Sequence, residues 1–408
     1  MMTSDKKLKI LMVSAYYMPA TVYGGPGPAL HRLNRELISQ GHEVTVYTTD
    51  ANGNSNLEVH LGREVSVDGV PVWYFRRWWF GRTRKPLTVF ISRELARKLN
   101  HLRPGEYDLI YSAGSFTDSG RVASVAARRT GTPYIYHTGG TFTPWALGHK
   151  YWKKRLYLSL VEKRILMAAG GILSHNPAEI EQLRRLGYHS LIRRTSLGVD
   201  LQESQTGLGR GDLEDLYPTL KDRPFLLFLG RLHPIKGLDL LIPAFGELAR
   251  QFPQWILVLA GPDERGYLVK VKGLIQSHQL TDRVLLTGMV GGDLKASLLS
   301  HAEFLVMPSY SEAFGVVMVE ALGYGKPVII TTTCYHPEVA DEGVGLVVPP
   351  EKEPLTRALG EMMASDELRR SCSAKVPEMV RRHYSWETIA RKSIDFFHDV
   401  INAAEKTK

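Results

Sequence analysis

Short apolar runs recur along the whole chain, bounded by glycine, proline, asparagine or aspartate and separated by stretches of helical length and period. Such runs are typical of strands buried on both faces, as in parallel sheets covered by helices. The first half holds KILMVSAY (9–16), EVTVYTT (43–49), VPVWYF (70–75), DLIYSAG (108–114), PYIYHTG (133–139) and GGILSHN (170–176). The second half holds FLLFLGR (225–231), ILVLAGP (256–262), VLLTGMV (284–290), EFLVMPS (303–309), PVIITTT (327–333) and GLVVPP (345–350). This alternation predicts an α/β fold of two doubly wound, Rossmann-like domains in series.

The boundary between the domains is expected just after SLGVD (196–200), because residues 201–224 are polar, glycine-rich and without a clear period. We therefore predict an N-terminal domain over 1–199 and a C-terminal domain over 200–384. Residues 385–406 are predicted to form one amphipathic helix, since their apolar side chains recur near helical spacing. Open α/β sheets bind ligands outside the carboxyl ends of their strands, so we expect an active site built from both domains.

Length and composition set broad limits on the class of protein. The 408 residues, 44% of them hydrophobic, suffice for two domains of about 200 residues each. Two cysteines, Cys334 and Cys372, cannot form a disulfide framework, which favours a reducing compartment and no structural metal. The start KKLKILMVSAYYMPA (6–20) includes polar Ser14 and two tyrosines, so it fits a buried strand better than a secretory signal. No window reaches about 18 uncharged apolar residues, and we predict a cytoplasmic protein without a membrane span.

Positive charge is concentrated in the first half of the chain. Residues 1–199 carry 28 Lys and Arg against 14 Asp and Glu, whereas residues 200–408 carry 23 against 28. The formal net charge of +9 therefore belongs to the N-terminal half. Its peak is RRWWFGRTRK (76–85), where three aromatic residues lie among five cations, and a similar cluster, HKYWKKR, follows at 149–155.

These two basic and aromatic clusters allow three interpretations. We predict contact with an anionic membrane or with an acidic or lipid-linked substrate, through Arg76, Arg77, Trp78, Trp79, Phe80, Trp152, Lys153 and Lys154. The aromatic rings could instead stack on nucleic-acid bases, but no recognised nucleic-acid module accompanies them. In the third interpretation the rings cover the domain core and the arginines are solvated.

The segment PSYSEAFGVVMVEALGYGKPVI (308–329) carries two candidate carboxylates. A strand ends at its start and a helix is predicted to begin near Phe314 and Gly315, so that Glu312 precedes the helix and Glu320 lies within it. The free amides of a helix N-terminus bind anions or hydroxyl groups, and a glycine there admits a ligand close to the backbone. The alternative is a helix-start acid and an ordinary surface glutamate.

Two cations follow the first strand of the C-terminal domain. In FLLFLGRLHPIKG (225–237) the strand ends at Gly230, and Arg231 and Lys236 come before the next helix. A forked guanidinium and an ammonium at the carboxyl end of a strand suit a diphosphate. The alternative is a solvated pair of charges on a loop.

The N-terminal domain offers weaker signals. Gly24 and Gly25 come between a strand and a helix, where the backbone could approach phosphate or sugar, but GPGPAL (25–30) fails the dinucleotide pattern GxGxxG. His137 is predicted at a strand end before two glycines, with a satisfied structural histidine as the alternative. The chain contains no Asp-x-Asp pair, phosphate-binding P-loop or GxSxG elbow.

Taken together and in this order, these segments resemble family 4 glycosyltransferases of the GT-B fold. The resemblance spans nearly the whole chain and includes GRLHPIKG (230–237), the Glu-x7-Glu element continuing into EALGYGKPVI (320–329), and the SWE that opens the last helix. Two departures stand out: Leu197 replaces a common asparagine, and TTCYHPEV (332–339) is bulkier than the usual glycine-rich approach to Pro-Glu. The resemblance implies two facing Rossmann-like domains, with the C-terminal helix returning to the N-terminal domain.

The resemblance further implies retaining transfer of a sugar from a nucleotide-diphosphate donor, without a metal or other cofactor. The N-terminal domain would bind the acceptor, and the C-terminal domain the donor. Arg231 and Lys236 would bind the diphosphate, and Glu312 and His137 would contact the transferred sugar. The amides around Phe314, Gly315 and Val316 would bind sugar and phosphate, and Glu320 would bind the ribose. The base would lie near Gly288, Met289 and Val290, and Gly24 and Gly25 would lie on the phosphate or acceptor side.

A softer similarity narrows the expected acceptor. Residues 138–166 are similar to bacterial enzymes that build lipopolysaccharide, capsule or exopolysaccharide, whose acceptors are commonly glycans on a lipid carrier at the inner face of the cytoplasmic membrane. We therefore predict a retaining hexosyltransferase acting on a glycan, with peripheral membrane contact and no nucleic-acid partner. The alternatives are a nucleic-acid-binding protein that uses the basic N-terminal half, or a GT-B donor-binding regulatory protein without activity. UDP, GDP and ADP donors, and several hexoses, stay open.

Overall fold

A computed structural model of the chain describes residues 6–78, 90–143, 157–201 and 207–406. It divides into two compact units. Unit 1 comprises Met1–Gly198 together with Trp386–Lys408, and unit 2 comprises Val199–Ser385. The predicted boundaries, after residues 199 and 384, each lie one residue from these divisions.

Unit 1 is built on a mainly parallel sheet of eight strands. Its strands and those of a small antiparallel ribbon, β3 with β4, are β1 Lys9–Ser14, β2 Glu43–Thr49, β3 Ala51–Asn52, β4 Ser55–Asn56, β5 Glu64–Val67, β6 Val70–Phe75, β7 Leu109–Ala113, β8 Tyr134–His137, β9 Gly171–Ser174 and β10 Leu191–Arg194. The order across the sheet is β10-β9-β8-β7-β1-β2-β6-β5, and only β5 runs antiparallel to its neighbour. The helices are α1 Pro26–Ser39, α2 Arg93–Asn100, α3 Asp118–Thr130, α4 Lys163–Ala168, which continues a π-helical turn at Leu158–Glu162, and α5 Pro177–Arg185.

The central strand β1 shows why the sheet of unit 1 is covered on both faces. Successive side chains of a strand point to opposite faces. Ile10 and Met12 pack into one hydrophobic cluster, whereas Leu11 and Val13 pack into another on the opposite face. The continuously apolar run of β1 is therefore buried on both faces of the sheet, as the sequence pattern predicts.

Unit 2 contains a six-stranded parallel sheet, and its strands coincide with the six predicted apolar runs. They are β11 Phe225–Leu229, β12 Ile256–Ala260, β13 Val284–Gly288, β14 Phe304–Met307, β15 Val328–Thr331 and β16 Gly345–Val348, in the order β13-β12-β11-β14-β15-β16. Its helices are α6 Arg210–Leu216, α7 Leu238–Leu248, α8 Leu268–Ser277, α9 Gly292–His301, α10 Val316–Gly323, α11 Glu338–Asp341, α12 Lys352–Ala364 and α13 Asp366–His383. The strand order reverses between β11 and β14, and such a switch point is where open α/β sheets bind ligands.

The last helix, α14 Trp386–Glu405, belongs to unit 1 although it follows all of unit 2 in the chain. Trp386, Phe397 and Val400 lie in the same hydrophobic cluster as one face of β1. A Cβ on Gly171 of β9 would lie 2.4 Å from a Val400 methyl carbon, so the glycine permits the close approach of α14. Both the predicted helix and its return to the N-terminal domain are confirmed.

Two strands of the unit 1 sheet were not predicted, and both lie at its edges. Strand β5 is half exposed and alternates, and β10 ends in two arginines, so neither is a continuous apolar run. Helix α2 begins at Arg93, because Ser92 caps it by accepting a hydrogen bond from the Leu95 N–H. In the described part of the chain, every helix is too short or too polar to cross a membrane.

Candidate active site

The loops after β11 and β14 meet at the switch point of unit 2. Two glycines allow close approaches at this edge: Gly237 brings together the loops after β11 and β14, and Gly261 those after β11 and β12. Gly237 has a φ of +69°, and a Cβ there would lie 2.0 Å from the Pro308 carbonyl oxygen. Gly261 has a φ of +146°, and a Cβ there would lie 1.9 Å from the Gly230 carbonyl oxygen. The loop that begins at Gly230 is therefore held at the carboxyl edge of the sheet by contacts that require glycine at positions 237 and 261.

Lys236 and Glu312 come together across this switch point, one from each loop. The Lys236 Nζ lies 2.5 Å from Glu312 Oε1, and only 18% and 9% of the two side chains are exposed. The Ser309 hydroxyl donates a second hydrogen bond to the same carboxylate oxygen, at 2.8 Å. The structure therefore brings together a nearly buried ammonium and carboxylate that the sequence analysis singled out separately.

Arg231 lies beside this pair in the chain but is much more exposed. Its guanidinium forms an ion pair with Glu264, and 57% of its side chain is accessible. Exposed ion pairs contribute little, commonly about 1 kcal/mol or less. Arg231 can therefore exchange Glu264 for an anionic ligand at low cost.

Glu320 lies within α10 and is paired with a lysine that the sequence analysis missed. Lys295 of α9 donates to Glu320 Oε1 at 2.6 Å. The other carboxylate oxygen, Oε2, is buried and has no hydrogen-bond partner among the described residues. A buried carboxylate oxygen without a donor is costly, so this atom is suited to a ligand hydroxyl. The sequence feature that could have indicated Lys295 is its position in the first turn of the helix that follows the strand ending at Gly288.

The N-terminus of α10 begins as predicted. Gly315 is the N-cap residue with a φ of +80° and a ψ of 52°, and Val316 starts the helix. A Cβ on Gly315 would lie 2.7 Å from the end of the Met307 side chain, which would have to move, and the positive φ disfavours any other residue. Phe314 is buried, with 4% of the residue exposed, and it can offer its backbone but not its ring to a ligand.

The segment predicted to hold the base shows an open surface. Gly288 ends β13 with a φ of +70°, and 79% of Met289 is exposed. Val290 follows it before α9 begins. All the residues predicted for the donor in unit 2 therefore lie in loops at strand ends or at the start of α10, apart from Glu320 within that helix.

His336 makes a hydrogen-bond network that the sequence analysis did not predict. Its Nε2 lies 2.5 Å from the Phe314 carbonyl oxygen, and its Nδ1 lies 2.7 Å from the Tyr384 hydroxyl and 3.2 Å from Glu338. The Tyr384 hydroxyl also donates to Glu338 at 2.6 Å. Although burial of the Glu338 carboxyl opposes ionisation, hydrogen bonds from His336 and Tyr384 lower its pKa to about 2. The only sequence signal was the bulk of residues 332–339.

Unit 1 contains a cavity of about 1090 Å³ at the carboxyl ends of β1, β7 and β8. Aromatic side chains form much of its wall, and α14 contributes Trp386 and Ile389. His137 at the end of β8 lines the cavity, as does Leu197, one of the two departures from the family pattern. Tyr23 and Gly27 line it as well, but Gly24 and Gly25 lie between them and outside the lining.

The hydrogen bonds around His137 determine its tautomer. The Tyr111 hydroxyl donates to His137 Nδ1 at 2.6 Å, which leaves the ring hydrogen on Nε2. That nitrogen lies 3.1 Å from His175 Nε2, which can accept because His175 Nδ1 donates to the Thr195 carbonyl oxygen. Burial and the neighbouring His175 ring lower the pKa of His137 well below its usual value, so its ring is uncharged. Both ring nitrogens of His137 therefore have protein partners.

The first basic cluster requires one correction. Arg77 is 1% exposed, and its guanidinium donates to the Gly53 and Ser55 carbonyl oxygens and to Asn56. It stabilises the β3–β4 ribbon, so the prediction that Arg77 contacts a membrane or acceptor is wrong.

Other members of the two basic clusters differ in accessibility. Arg76 is exposed, and 39% of Trp78 is accessible, with the Arg93 guanidinium 5.3 Å from its ring centre. The other predicted contacts lie outside the described residues: Trp79, Phe80, Trp152, Lys153 and Lys154.

The sequence of this chain matches known protein families over both units. Residues 24–195 match the model of the glycosyl transferase 4-like domain, and residues 216–379 match that of glycosyl transferases group 1. The D-inositol 3-phosphate glycosyltransferase 2 of Catenulispora acidiphila is 30% identical over 318 residues, which cover 75% of this chain and 73% of that protein. The chain belongs to glycosyltransferase family 4. A second relative of this glycosyltransferase, D-inositol 3-phosphate glycosyltransferase of Streptomyces avermitilis, is 29% identical over 423 residues, covering 99% of this chain and 89% of that protein.

Solved structures show the fold of this family 4 glycosyltransferase. Sucrose-phosphate synthase from Thermosynechococcus elongatus superposes with a TM-score of 0.69 at 22% identity, over 97% of this chain and 100% of that one. Anabaena Alr3699/HepE in complex with UDP and glucose gives a TM-score of 0.69 at 20% identity, over 96% and 100%. The predicted GT-B fold class, with its two Rossmann-like halves, is confirmed.

Proposed function

We propose that this glycosyltransferase moves a hexose from a nucleotide-diphosphate sugar to a glycan acceptor, with retention at the anomeric carbon. The acceptor is lipid-linked, and the product is part of a cell-surface polysaccharide. The enzyme works at the inner face of the cytoplasmic membrane and needs no metal. The observation that carries the proposal is the pairing of Lys236 with Glu312 and of Lys295 with Glu320 at the carboxyl edge of the unit 2 sheet.

Each of these groups has a part of the donor to bind. Glu320 Oε2, buried and without a donor, accepts a hydrogen bond from a ribose hydroxyl. Lys236 and the exposed Arg231 bind the diphosphate and neutralise the charge that develops on it as the sugar leaves. Glu312 accepts hydrogen bonds from the hydroxyls of the sugar, and the amides at the start of α10 assist. The complex of the structurally similar Anabaena protein with UDP and glucose supports a nucleotide-sugar donor.

Transfer breaks the bond between the anomeric carbon and the donor phosphate oxygen and forms a bond from that carbon to the acceptor oxygen on the same face. The acceptor hydroxyl proton passes to a donor phosphate oxygen, and the products are a nucleoside diphosphate and a glycoside. Glu312 lies 2.5 Å from Lys236, and such an ion pair suits an orienting role better than a nucleophilic one.

A thermal-shift panel tests the donor assignment. UDP, GDP, ADP and their glucose conjugates are compared with adenosine at equal concentrations, since a ligand at about 100 times its Kd stabilises the folded state by about 2.7 kcal/mol. We expect one diphosphate series to raise the melting temperature, with and without EDTA. Stabilisation by none of them contradicts the proposal.

Substitution of Glu312 tests its role in transfer. Glu312→Gln keeps the size of the side chain but removes the charge, and we expect turnover of the active donor to fall about 100-fold or more with the fold retained. Glu353→Gln on the exposed side of α12 is the matched control and keeps full activity. Near-normal transfer by Glu312→Gln refutes the assignment.

A further inference from the structure

The cavity of unit 1 has a chemical character that limits the acceptor. Resting on the proposed function, we infer that it holds an uncharged sugar unit of the acceptor and excludes an acceptor whose bound end carries a phosphate. The curated relatives are named for inositol 3-phosphate, so the inference separates the acceptor of this chain from theirs.

The first support is the absence of fixed charge. Among the described residues that line the cavity there is no Lys, Arg, Asp or Glu. Its two histidines are His137 and His175, and burial keeps the ring of His137 uncharged. A phosphate monoester carries a charge of about −1.5 to −2 near pH 7. Burial of that charge without a cationic partner is strongly unfavourable.

The second support is the combination of aromatic rings with hydroxyl groups. Tyr16 and Tyr23 stack with their ring centres 4.2 Å apart, and Phe90 meets the Tyr23 ring edge-on at 5.6 Å. Thr141 also lines the wall and donates its hydroxyl hydrogen to the Thr138 carbonyl oxygen, which leaves its own oxygen able to accept. A pyranose has apolar C–H faces that pack on aromatic rings and a rim of hydroxyls that exchange hydrogen bonds with such oxygens.

The size of the cavity is consistent with this occupant. At about 1090 Å³ it lies near the upper end of the usual range for small-molecule pockets, about 300–1,000 Å³. It has room for more than one sugar ring. The cavity therefore fits the end of a neutral oligosaccharide, with any charged carrier held elsewhere.

Calorimetry with matched ligands tests this inference without requiring turnover. The whole protein is titrated with octyl glucoside and with octyl glucoside 6-phosphate, which differ only in the phosphate. We expect the neutral glycoside to bind at least about 10-fold more tightly, as 1.4 kcal/mol corresponds to a factor of 10. Equal binding, tighter binding of the phosphorylated ligand, or binding of neither overturns the inference.

A charge introduced into the wall gives a second test. Thr141→Lys places a cation at the cavity, and we expect it to narrow the difference between the two glycosides. Ser66→Lys on the exposed face of β5 adds the same charge elsewhere and leaves the difference unchanged. Because donor stabilisation is measured separately by thermal shift, failure of the donor assignment is distinguishable from failure of the acceptor inference.

A second inference rests independently on His336 in unit 2. We propose that His336 is a positioning residue for the donor: it fixes the peptide between Phe314 and Gly315. A carbonyl oxygen only accepts, so the 2.5 Å contact with Phe314 requires a hydrogen on His336 Nε2. The C=O and N–H of a trans peptide point in opposite directions. The bond therefore aims the Gly315 N–H away from His336.

The orientation of this peptide has to be fixed by a contact from elsewhere in the chain, because Gly315 restricts its own backbone only weakly. Glycine adopts both signs of φ at little cost, so the preceding peptide can rotate unless something holds it. His336 is itself held through Nδ1 by Tyr384 and Glu338, and it is 2% exposed. Segment 332–339, which is bulkier than the family pattern, thus provides the side chain of His336 that holds the peptide between Phe314 and Gly315 in place.

Kinetics with UDP-glucose as the donor probe distinguish positioning from general stability. In His336→Leu we expect the donor KM to rise about 10-fold, consistent with loss of one buried hydrogen bond, while the acceptor KM stays unchanged. His336→Gln, which can still donate to the Phe314 oxygen, is expected to restore part of the loss. Tyr384→Phe keeps the ring and removes one hold, and we expect a smaller rise, about 3-fold.

The design remains decisive if one variant fails to fold. Tyr384→Phe then carries the test, since it leaves the buried ring in place. A folded His336→Leu or Tyr384→Phe protein with an unchanged donor KM refutes the positioning role, as does an equal rise in the donor and acceptor KM.

Discussion

Two glutamates eight positions apart illustrate what local sequence can and cannot reveal. Glu312 and Glu320 were identifiable because both lie around one helix start. Their partners were less accessible: Lys295 is 25 residues from Glu320, and His336 is 22 residues from the Phe314 carbonyl that it holds. Contacts at such separations depend on which strands are neighbours in the sheet, and the hydrophobic pattern along the chain does not reveal this. The candidate roles could be predicted, but not the network that supports them.

Lys295 provides a prediction at this scale. It neutralises Glu320 and orients Oε1, leaving Oε2 for a ligand. In Lys295→Met we expect the affinity for the preferred nucleoside diphosphate to fall about 10-fold or more, since a hydrogen bond to a charged group contributes about 1.5–3 kcal/mol. Titration calorimetry measures the change, with Lys270→Met on the exposed side of α8 as control. Unchanged affinity would contradict this role for the pair.

Glu162 provides a prediction about pH. Burial raises its pKa to about 7, although hydrogen bonds from Tyr136 and the Phe116 N–H act in the opposite direction. Since the folded pKa exceeds the unfolded value, the folded state holds the proton more tightly. Stability therefore falls as pH rises from about 4.5 to 7 and is level above that range, by up to about 3 kcal/mol.

Glu162→Gln tests this assignment because the amide cannot ionise. We expect the variant to lose less stability than the wild type between pH 5 and pH 8 while keeping an acceptor for the Phe116 N–H. Urea denaturation across that range measures the difference. Parallel curves for the two proteins would refute the titration of Glu162.

At the scale of elements, the apolar runs predicted most of both sheets. All six strands of unit 2 were found because each is a continuous apolar run, including the partly buried edge strands β13 and β16. The edge strands β5 and β10 were missed because an edge faces solvent and carries polar residues. The boundary of α2 was set by a capping serine rather than by periodicity. Apolar runs therefore predict strands at the centre of a sheet and apolar edge strands, but they miss edge strands that carry polar residues.

The loops of unit 2 give a prediction for Gly237. A Cβ there collides with the Pro308 carbonyl at 2.0 Å, so Gly237→Ala should separate the loops that carry Lys236 and Glu312. We expect a loss of about 2–4 kcal/mol of stability together with weaker donor binding. Gly266→Ala is the matched control, since Gly266 has a φ of +80° but no atom within 4 Å of the added Cβ. Its cost is about 1–2 kcal/mol from backbone strain alone. Chemical denaturation compares the two, and equal losses would mean that the collision is relieved.

The first basic cluster gives a prediction about membranes. Arg76 and Trp78 are accessible, whereas Arg77 is buried in hydrogen bonds with the β3–β4 ribbon. We expect Arg76→Gln with Trp78→Ala to reduce flotation with anionic vesicles, each charge contributing about 1 kcal/mol near such a surface. Arg77→Gln should instead lower the melting temperature, because it removes the hydrogen bonds from the Arg77 guanidinium to Gly53 and Ser55 of the β3–β4 ribbon. Unchanged flotation of the double variant contradicts membrane contact by these residues.

At the scale of the whole molecule, the two units divide the chemistry between them. Unit 2 carries paired charges suited to a nucleotide sugar, whereas the described lining of the unit 1 cavity carries none of the fixed charges. The Lys and Arg residues that the structure describes in the N-terminal half therefore lie outside this lining. Net charge indicated which half is basic, but it did not indicate that the described lining of the cavity in that half carries no Lys, Arg, Asp or Glu.

The return of α14 to unit 1 has a consequence for synthesis of the protein on the ribosome. Trp386, Phe397 and Val400 complete the core beneath the first strand, yet they are translated after all of unit 2. Domains generally fold as units while the chain emerges. Unit 2, contiguous from Val199 to Ser385, is thus the first whose entire chain is available. The amino-terminal unit keeps part of its apolar surface uncovered until α14 has been translated, so this interval is the one in which a chaperone has most apolar surface to protect.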